Sequence, residues 1–164
     1  MSVDAQEFRN ALSRWATGVT VVTTQLDDGR LHGMTASSFS SVSLDPLLVL
    51  ICVKKTVYAH QCIVESHKFA VNILNTTQVD WGKRFAGMFP EIQNRFEGIA
   101  YTTAVTGSPI LPDVLGWVDC TLYQTYDGGD HSIFIGQVQA AGSTDNADPL
   151  MYFNRMWGKF TPEN

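Results

Sequence analysis

The chain has 164 residues, 45% of them hydrophobic and 16% charged, with a formal net charge of −5 at pH 7. That length predicts one domain over residues 1–164, and the composition excludes wholesale disorder. The acidic balance argues against nucleic acid as a partner, and no apolar run approaches the roughly 18 residues that cross a bilayer.

The N-terminal "MSVDAQEFRN" has neither a basic segment nor an apolar core, so it does not read as a signal peptide, and a cytoplasmic location is expected. Cys52, Cys62 and Cys120 are odd in number and lie in apolar segments, which suits reduced, buried thiols. Asp4 is placed to cap a first helix, with Phe8, Ala11, Leu12 and Trp15 on one apolar stripe and Gly18 as its end. Residues 19–39 read as a hairpin turning at "DDGR", where Gly29 tolerates positive φ. Asp45 and Pro46 mark a break, after which "LLVLICV" predicts a strand buried on both faces.

Thr56 is the expected N-cap of a helix reaching about Ser66, followed by a strand in "KFAVNIL" and a second helix over "TQVDWGKRFAG". A loop with Gly107, Pro109 and Pro112 leads to two long strands, "GWVDCTLYQTY" and "HSIFIGQVQAA". In the first, Val118, Cys120 and Leu122 alternate with Asp119, Thr121 and Tyr123, which suits one buried face. Tight turns between successive strands favour antiparallel pairing in a closed or nearly closed barrel with a few peripheral helices. A doubly wound parallel sheet lacks the regular βαβ alternation it needs.

Dinucleotide-fold and P-loop glycine patterns are missing from the sequence, as are metal-binding His and Cys spacings and a hydrolase nucleophile elbow, so no metal is expected. Three features are chemically suggestive, each beside a plainer alternative. "VKKT" puts Lys54 and Lys55 at the entrance to a helix, a good receptor for phosphate; the alternative is two solvated lysines. Arg84 is a further candidate cation. "GMTASSF" offers hydroxyls that donate and accept to the edge of a flat heterocycle; the alternative is a polar strand end bonded to local backbone. "GGDHSIFIGQV" places His131 after Asp130 at a strand entrance, where it could position an amide-bearing substrate or be merely half-exposed structure.

Taken in order, "FRNALSRWATGVTVVTT", "HGMTASSFSSVSLDPLLVLICV", "FAVNIL", "FAG", "GDHSIFIGQV" and "DPLMYFNRMWGKF" resemble the flavin reductase family of FMN-binding split barrels, across about residues 8–160. The resemblance implies a mainly β, antiparallel Greek-key split barrel. It implies that Thr35, Ala36, Ser37 and Ser38 line the isoalloxazine, and that Ser40, Ser41 and Ser43 satisfy backbone as the chain turns toward Pro46. Lys54, Lys55 and Thr56 would lie by the flavin phosphate, with Arg84 and Phe85 bordering the flavin. His131 would sit on the nicotinamide side, oriented by Asp130, with Tyr152 a further contact there. Thr56 stands where relatives commonly have Ser. Trp157 stands where they often have Tyr, so no role is carried over to it.

The implied activity is hydride transfer from NADH or NADPH to FMN or FAD. The implied assembly is a homodimer that supplies reduced flavin to a separate flavin-dependent monooxygenase. A flavin-binding module without reductase activity, acting as sensor, carrier or scaffold, is the alternative on the same barrel. The residues leave FMN against FAD, and NADH against NADPH, undecided.

Overall fold

The computed structural model describes residues 3–145 and 147–163. Helix α1 (Ala5–Leu12) starts where Asp4 accepts the amide of Gln6, as its sequence predicts. It stops at Ser13, well before Gly18, which instead belongs to the short strand β1 (Thr17–Gly18). The apolar stripe of α1 is largely exposed: Phe8 and Leu12 are each 57% exposed and Trp15 is 75% exposed.

Strands β2 (Thr20–Gln25) and β3 (Leu31–Ala36) form the expected hairpin, with Gly29 at φ +85° in its turn. A second hairpin follows at once, β4 (Phe39–Leu44) with β5 (Leu47–Lys54). The serine-rich run is therefore an edge strand, not merely an approach to the turn. Its polar side chains still serve nearby backbone. Ser40 Oγ donates to the Ser41 carbonyl at 3.2 Å, and Ser43 Oγ accepts the Asp45 amide at 3.2 Å. Strand β5 alternates rather than being buried on both faces: Val49, Ile51 and Val53 point in and are buried, while Leu48, Leu50 and Cys52 on the other side are only half-buried. The strands that carry burial on both faces are β2 and β6 (Lys68–Ile73), each sandwiched between two clusters of core residues.

Helix α2 (Tyr58–Ser66) begins one residue later than expected. Val57 occupies the cap position without a side-chain bond, and exposed Thr56 lies in the preceding turn. A 3₁₀ turn at Thr76–Gln78 leads into α3 (Val79–Phe85). The long loop after it carries β7 (Thr102–Thr103) and β8 (Pro109–Ile110), then β9 (Gly116–Gly128) pairs with β10 (His131–Ser143). The simple alternation expected in β9 fails at Asp119, which is fully buried and accepts the amide and hydroxyl of Thr106. That carboxylate ties the 104–112 loop across the sheet. A final hairpin, β11 (Leu150–Phe153) with β12 (Met156–Lys159), pairs with β1.

The main sheet has seven strands in the order β3-β2-β6-β9-β10-β5-β4, all neighbours antiparallel. Its two edge strands, β3 and β4, are consecutive in the chain and joined only by Ser37 and Ser38. Two edges linked by so short a connection force the sheet to curl round on itself, which is the barrel the turn pattern predicts. Phe69, Phe134, Ile51 and Val53 fill its interior, capped by Ala59 and Ile63 of α2. Each such side chain contributes about 1.5–3 kcal/mol by leaving water. Outside, α3, the 94–114 loop and the last hairpin cover the other face of β2 and β6. No helix among the described residues is long and apolar enough to cross a membrane.

Candidate functional site

The seam between β3 and β4 organises the site. Thr35 Oγ1 donates to the Gly82 carbonyl of α3 at 2.6 Å, and the Ala36 carbonyl accepts Thr20 Oγ1 at 2.8 Å. Ser38 Oγ donates to the Cys52 carbonyl at 2.8 Å and accepts its amide at 3.2 Å. Of the four seam candidates, Ser37 is the exposed one. Among the described residues the outer edge of β3 beside it has no strand neighbour, leaving main-chain groups there for a ligand.

Two cavities flank Ser37. The smaller, about 230 Å³, is walled by Thr35, Ala36, Met88 and Trp157. The larger, about 540 Å³, is walled by Arg9, Trp15, Phe39 and Leu50. Ser37, Tyr152 and Arg155 belong to both. Tyr152 and Trp157, facing each other across the β11–β12 pair, meet edge-to-face with ring centroids 5.2 Å apart. Trp157 also lies close on α3: a Cβ at Gly82 would come within 2.7 Å of its ring, so glycine is what admits the indole there. The hairpin turn is anchored to α1, since the Asn154 amide donates to the Ser13 carbonyl at 2.8 Å and Arg155 Nη2 donates to Asn10 Oδ1 at 3.1 Å.

A second polar group sits where β5 ends beside the start of β10. Lys54 and His131 are direct cross-strand partners. Lys55 donates its amide to the Asp130 carbonyl at 3.0 Å, and its ammonium lies 2.9 Å from Asp127. His131 Nδ1 is 2.8 Å from Asp130 Oδ1. That contact holds the Asp130 carboxyl below the usual carboxylate range, and the Gly129 amide followed by Lys55 does the same for Asp127. His60 on α2 bonds Ser132 at 2.8 Å, and its pKa is lowered by burial and then by Lys55.

Thr35, Ala36, Ser37 and Tyr152 thus meet around one cavity, while Lys54, Lys55, Asp130 and His131 form a group of their own. Ser38 stands between the two groups. It is bonded to Cys52, which precedes Lys54 by two residues, or about 6.6 Å of strand. Two candidates lie elsewhere. Arg84 Nη2 donates to the Asn94 and Glu97 carbonyls at 3.0 and 2.7 Å, holding the following loop. Phe85 is 1% exposed and packs edge-to-face on Phe96, a core side chain rather than a cavity wall.

Arg9, Met88, Arg155 and Trp157 were not among the candidates from sequence. A signal existed for Arg155: "LMYF" and "MWGK" flank a polar pair, Asn154 and Arg155, the pattern of a two-residue hairpin loop. Nothing local in the sequence shows that this loop folds back onto α1.

Residues 12–161 match the flavin reductase like domain. The chain is 35% identical to a flavin reductase of Pseudomonas putida, over 97% of this chain and 92% of that one. It is 36% identical to the reductase subunit HsaB of a flavin-dependent monooxygenase of Rhodococcus jostii, over 99% of this chain and 81% of that one. Among solved structures it resembles the NADH:FAD oxidoreductase SgcE6 of Streptomyces globisporus in complex with NAD and FAD fragments. That likeness has a TM-score of 0.89 at 32% identity, covering 99% of this chain and 98% of that one. The curled antiparallel sheet, its seam and these likenesses agree, and the chain belongs to the flavin reductase family.

Proposed function

We propose that the chain is an NAD(P)H-dependent flavin reductase whose reduced FMN or FAD serves a separate monooxygenase. The observation that carries this is the smaller cavity at the seam. A flavin ring needs flat, largely apolar walls and hydrogen-bonding groups at its polar edge. Tyr152, Trp157 and Met88 supply the walls; Ser37 and the open edge of β3 supply the polar groups. The likeness to an oxidoreductase that binds NAD and FAD fragments supports the same reading.

A dihydronicotinamide bound beside a flavin would supply the hydride and the flavin would accept it. The chain's work is to bind, orient and exclude water. Thr35, fixed to α3, and Ser38, fixed to β5, hold the two sides of the seam so that Ser37 faces the ring from a rigid frame. Lys54 and Lys55 serve the flavin phosphate. Thr56, in the turn beside them, contributes there through the turn rather than as a helix cap. His131 positions the nicotinamide, and Asp130 orients its imidazole.

A homodimer fits the exposed apolar surface. Leu44 is 88% exposed, Leu47 51% and Val42 47%, all on the β4–β5 hairpin. The chain operates in the cytoplasm, in keeping with free thiols at Cys62 and Cys120. Purified protein assayed for NADH and NADPH oxidation with FMN, FAD or riboflavin tests the activity. Oxidation that depends on added flavin is expected; tightly held flavin that neither nucleotide bleaches would reject it in favour of a non-catalytic flavin-binding module. Light scattering checks the dimer.

A further inference from the structure

The geometry points to Arg155, together with Arg9, as a subsite for the pyrophosphate of a dinucleotide in the larger cavity. This rests on the reductase reading above. Asn154 and Arg155 have φ of +48° and +64°, the two-residue hairpin turn in which the second position favours glycine. An arginine there is conformationally costly, so its side chain is the reason for its presence. The guanidinium is held over the cavity by Asn10 Oδ1 at 3.1 Å, and Asn10 is itself fixed by Gln6 at 2.8 Å.

The charge is unspent. The ion pairs among the described residues are Arg30–Asp28, Lys55–Asp127 and His131–Asp130, none of which involves Arg9 or Arg155. Among the described residues lining this cavity there is no carboxylate, in a chain whose net charge is −5. Two cations, the hydroxyls of Ser13 and Ser37, and the exposed ring of Trp15 match a diphosphate linked to a base. The cavity is about 540 Å³, against 230 Å³ for the ring site with which it shares Arg155. The shared Arg155 sets a diphosphate in the larger chamber next to the ring bound in the smaller one.

Such a diphosphate belongs either to NAD(P)H or to FAD, and one substitution separates them. Arg155→Gly removes the guanidinium and relieves the backbone, so the variant melts no lower than wild type. If the nicotinamide nucleotide occupies the subsite, KM for NADH rises about tenfold while KM for reduced nicotinamide mononucleotide moves less than about twofold. If FAD occupies it, the Kd for FAD rises about tenfold relative to FMN. Arg14→Ala, which removes the same charge from an exposed position outside the cavity, changes neither ratio. Unchanged values for both dinucleotides, or equal weakening of mononucleotides and dinucleotides, would overturn the subsite. Should wild type oxidise no NADH with any flavin, the reductase reading falls. Calorimetric binding of ADP-ribose to wild type and Arg155→Gly then decides the subsite alone, loss in the variant supporting it and equal binding or none rejecting it.

Discussion

The Ser38 hydroxyl donates to the Cys52 carbonyl at 2.8 Å and accepts its amide at 3.2 Å, beside the 3.3 Å bond from that amide to the Ser38 carbonyl. The side chain there reinforces a backbone bond, fastening the connection between the two sheet edges to β5. Ser38→Ala leaves a half-buried carbonyl poorly satisfied and is expected to cost about 1–2 kcal/mol in urea unfolding. Ser37→Ala, at the exposed neighbour, should leave stability near wild type and weaken flavin. Equal destabilisation by both would contradict this division.

Lys54 and Lys55 stand at one strand end, the second already near Asp127. Replacing both by Ala is expected to weaken FMN and FAD about tenfold or more while riboflavin changes little, since riboflavin lacks the phosphate. Flavin fluorescence titrations with the three compounds read this directly. Uniform weakening would remove the lysines from the phosphate role.

His131→Ala is expected to lower NADH oxidation by about ten- to a hundredfold, because a misplaced nicotinamide loses near-attack geometry. Flavin affinity should remain near wild type. Asp130→Asn should give a smaller loss of the same kind, as the imidazole exchanges a charged carboxylate partner at 2.8 Å for a neutral amide oxygen but stays in place. Single-turnover reduction rates separate the two variants, and a full rate in His131→Ala would end its assignment.

His32 lies edge-on to Tyr58 with ring centroids 5.1 Å apart, and burial, followed by the Arg95 charge, pushes its pKa down to about 4. The unfolded chain takes up a proton near pH 6.5 that the folded chain refuses. Stability is therefore complete above about pH 6.5 and declines as pH falls toward 4, by about 1–2 kcal/mol once partial exposure is discounted. Urea unfolding of wild type and His32→Gln at about pH 7 and about pH 4.5 measures the contribution, which the variant should lack.

The sequence made the β2–β3 and β9–β10 hairpins, both longer helices and the antiparallel class legible, because turn chemistry and apolar period are local. It misplaced burial on β5 and α1. Both carry apolar residues that their own chain leaves exposed, and a stripe of leucines looks alike whatever covers it. The seam candidates Thr35, Ala36 and Ser37 could be picked out as small and polar at a strand end. Phe85 could not be separated from them, since a core aromatic and a cavity aromatic read identically in one dimension. Arg155 depends on a hairpin docking against a helix some 145 residues earlier, a contact carried by its bond to Asn10.

The cross-strand pairing of Lys54 with His131 means that the separation of these two groups is set by a ladder rather than by either side chain. A slip of one residue between β5 and β10 would turn Lys54 inward and bring Val53 out beside His131. Val53, Ile51 and Phe134, each 0% exposed, oppose that slip by everything they gain from burial. The spacing works as a ruler whose graduations are core residues that touch neither ligand. A search for variants with altered nucleotide handling should therefore find hits inside the barrel as well as in the cavities.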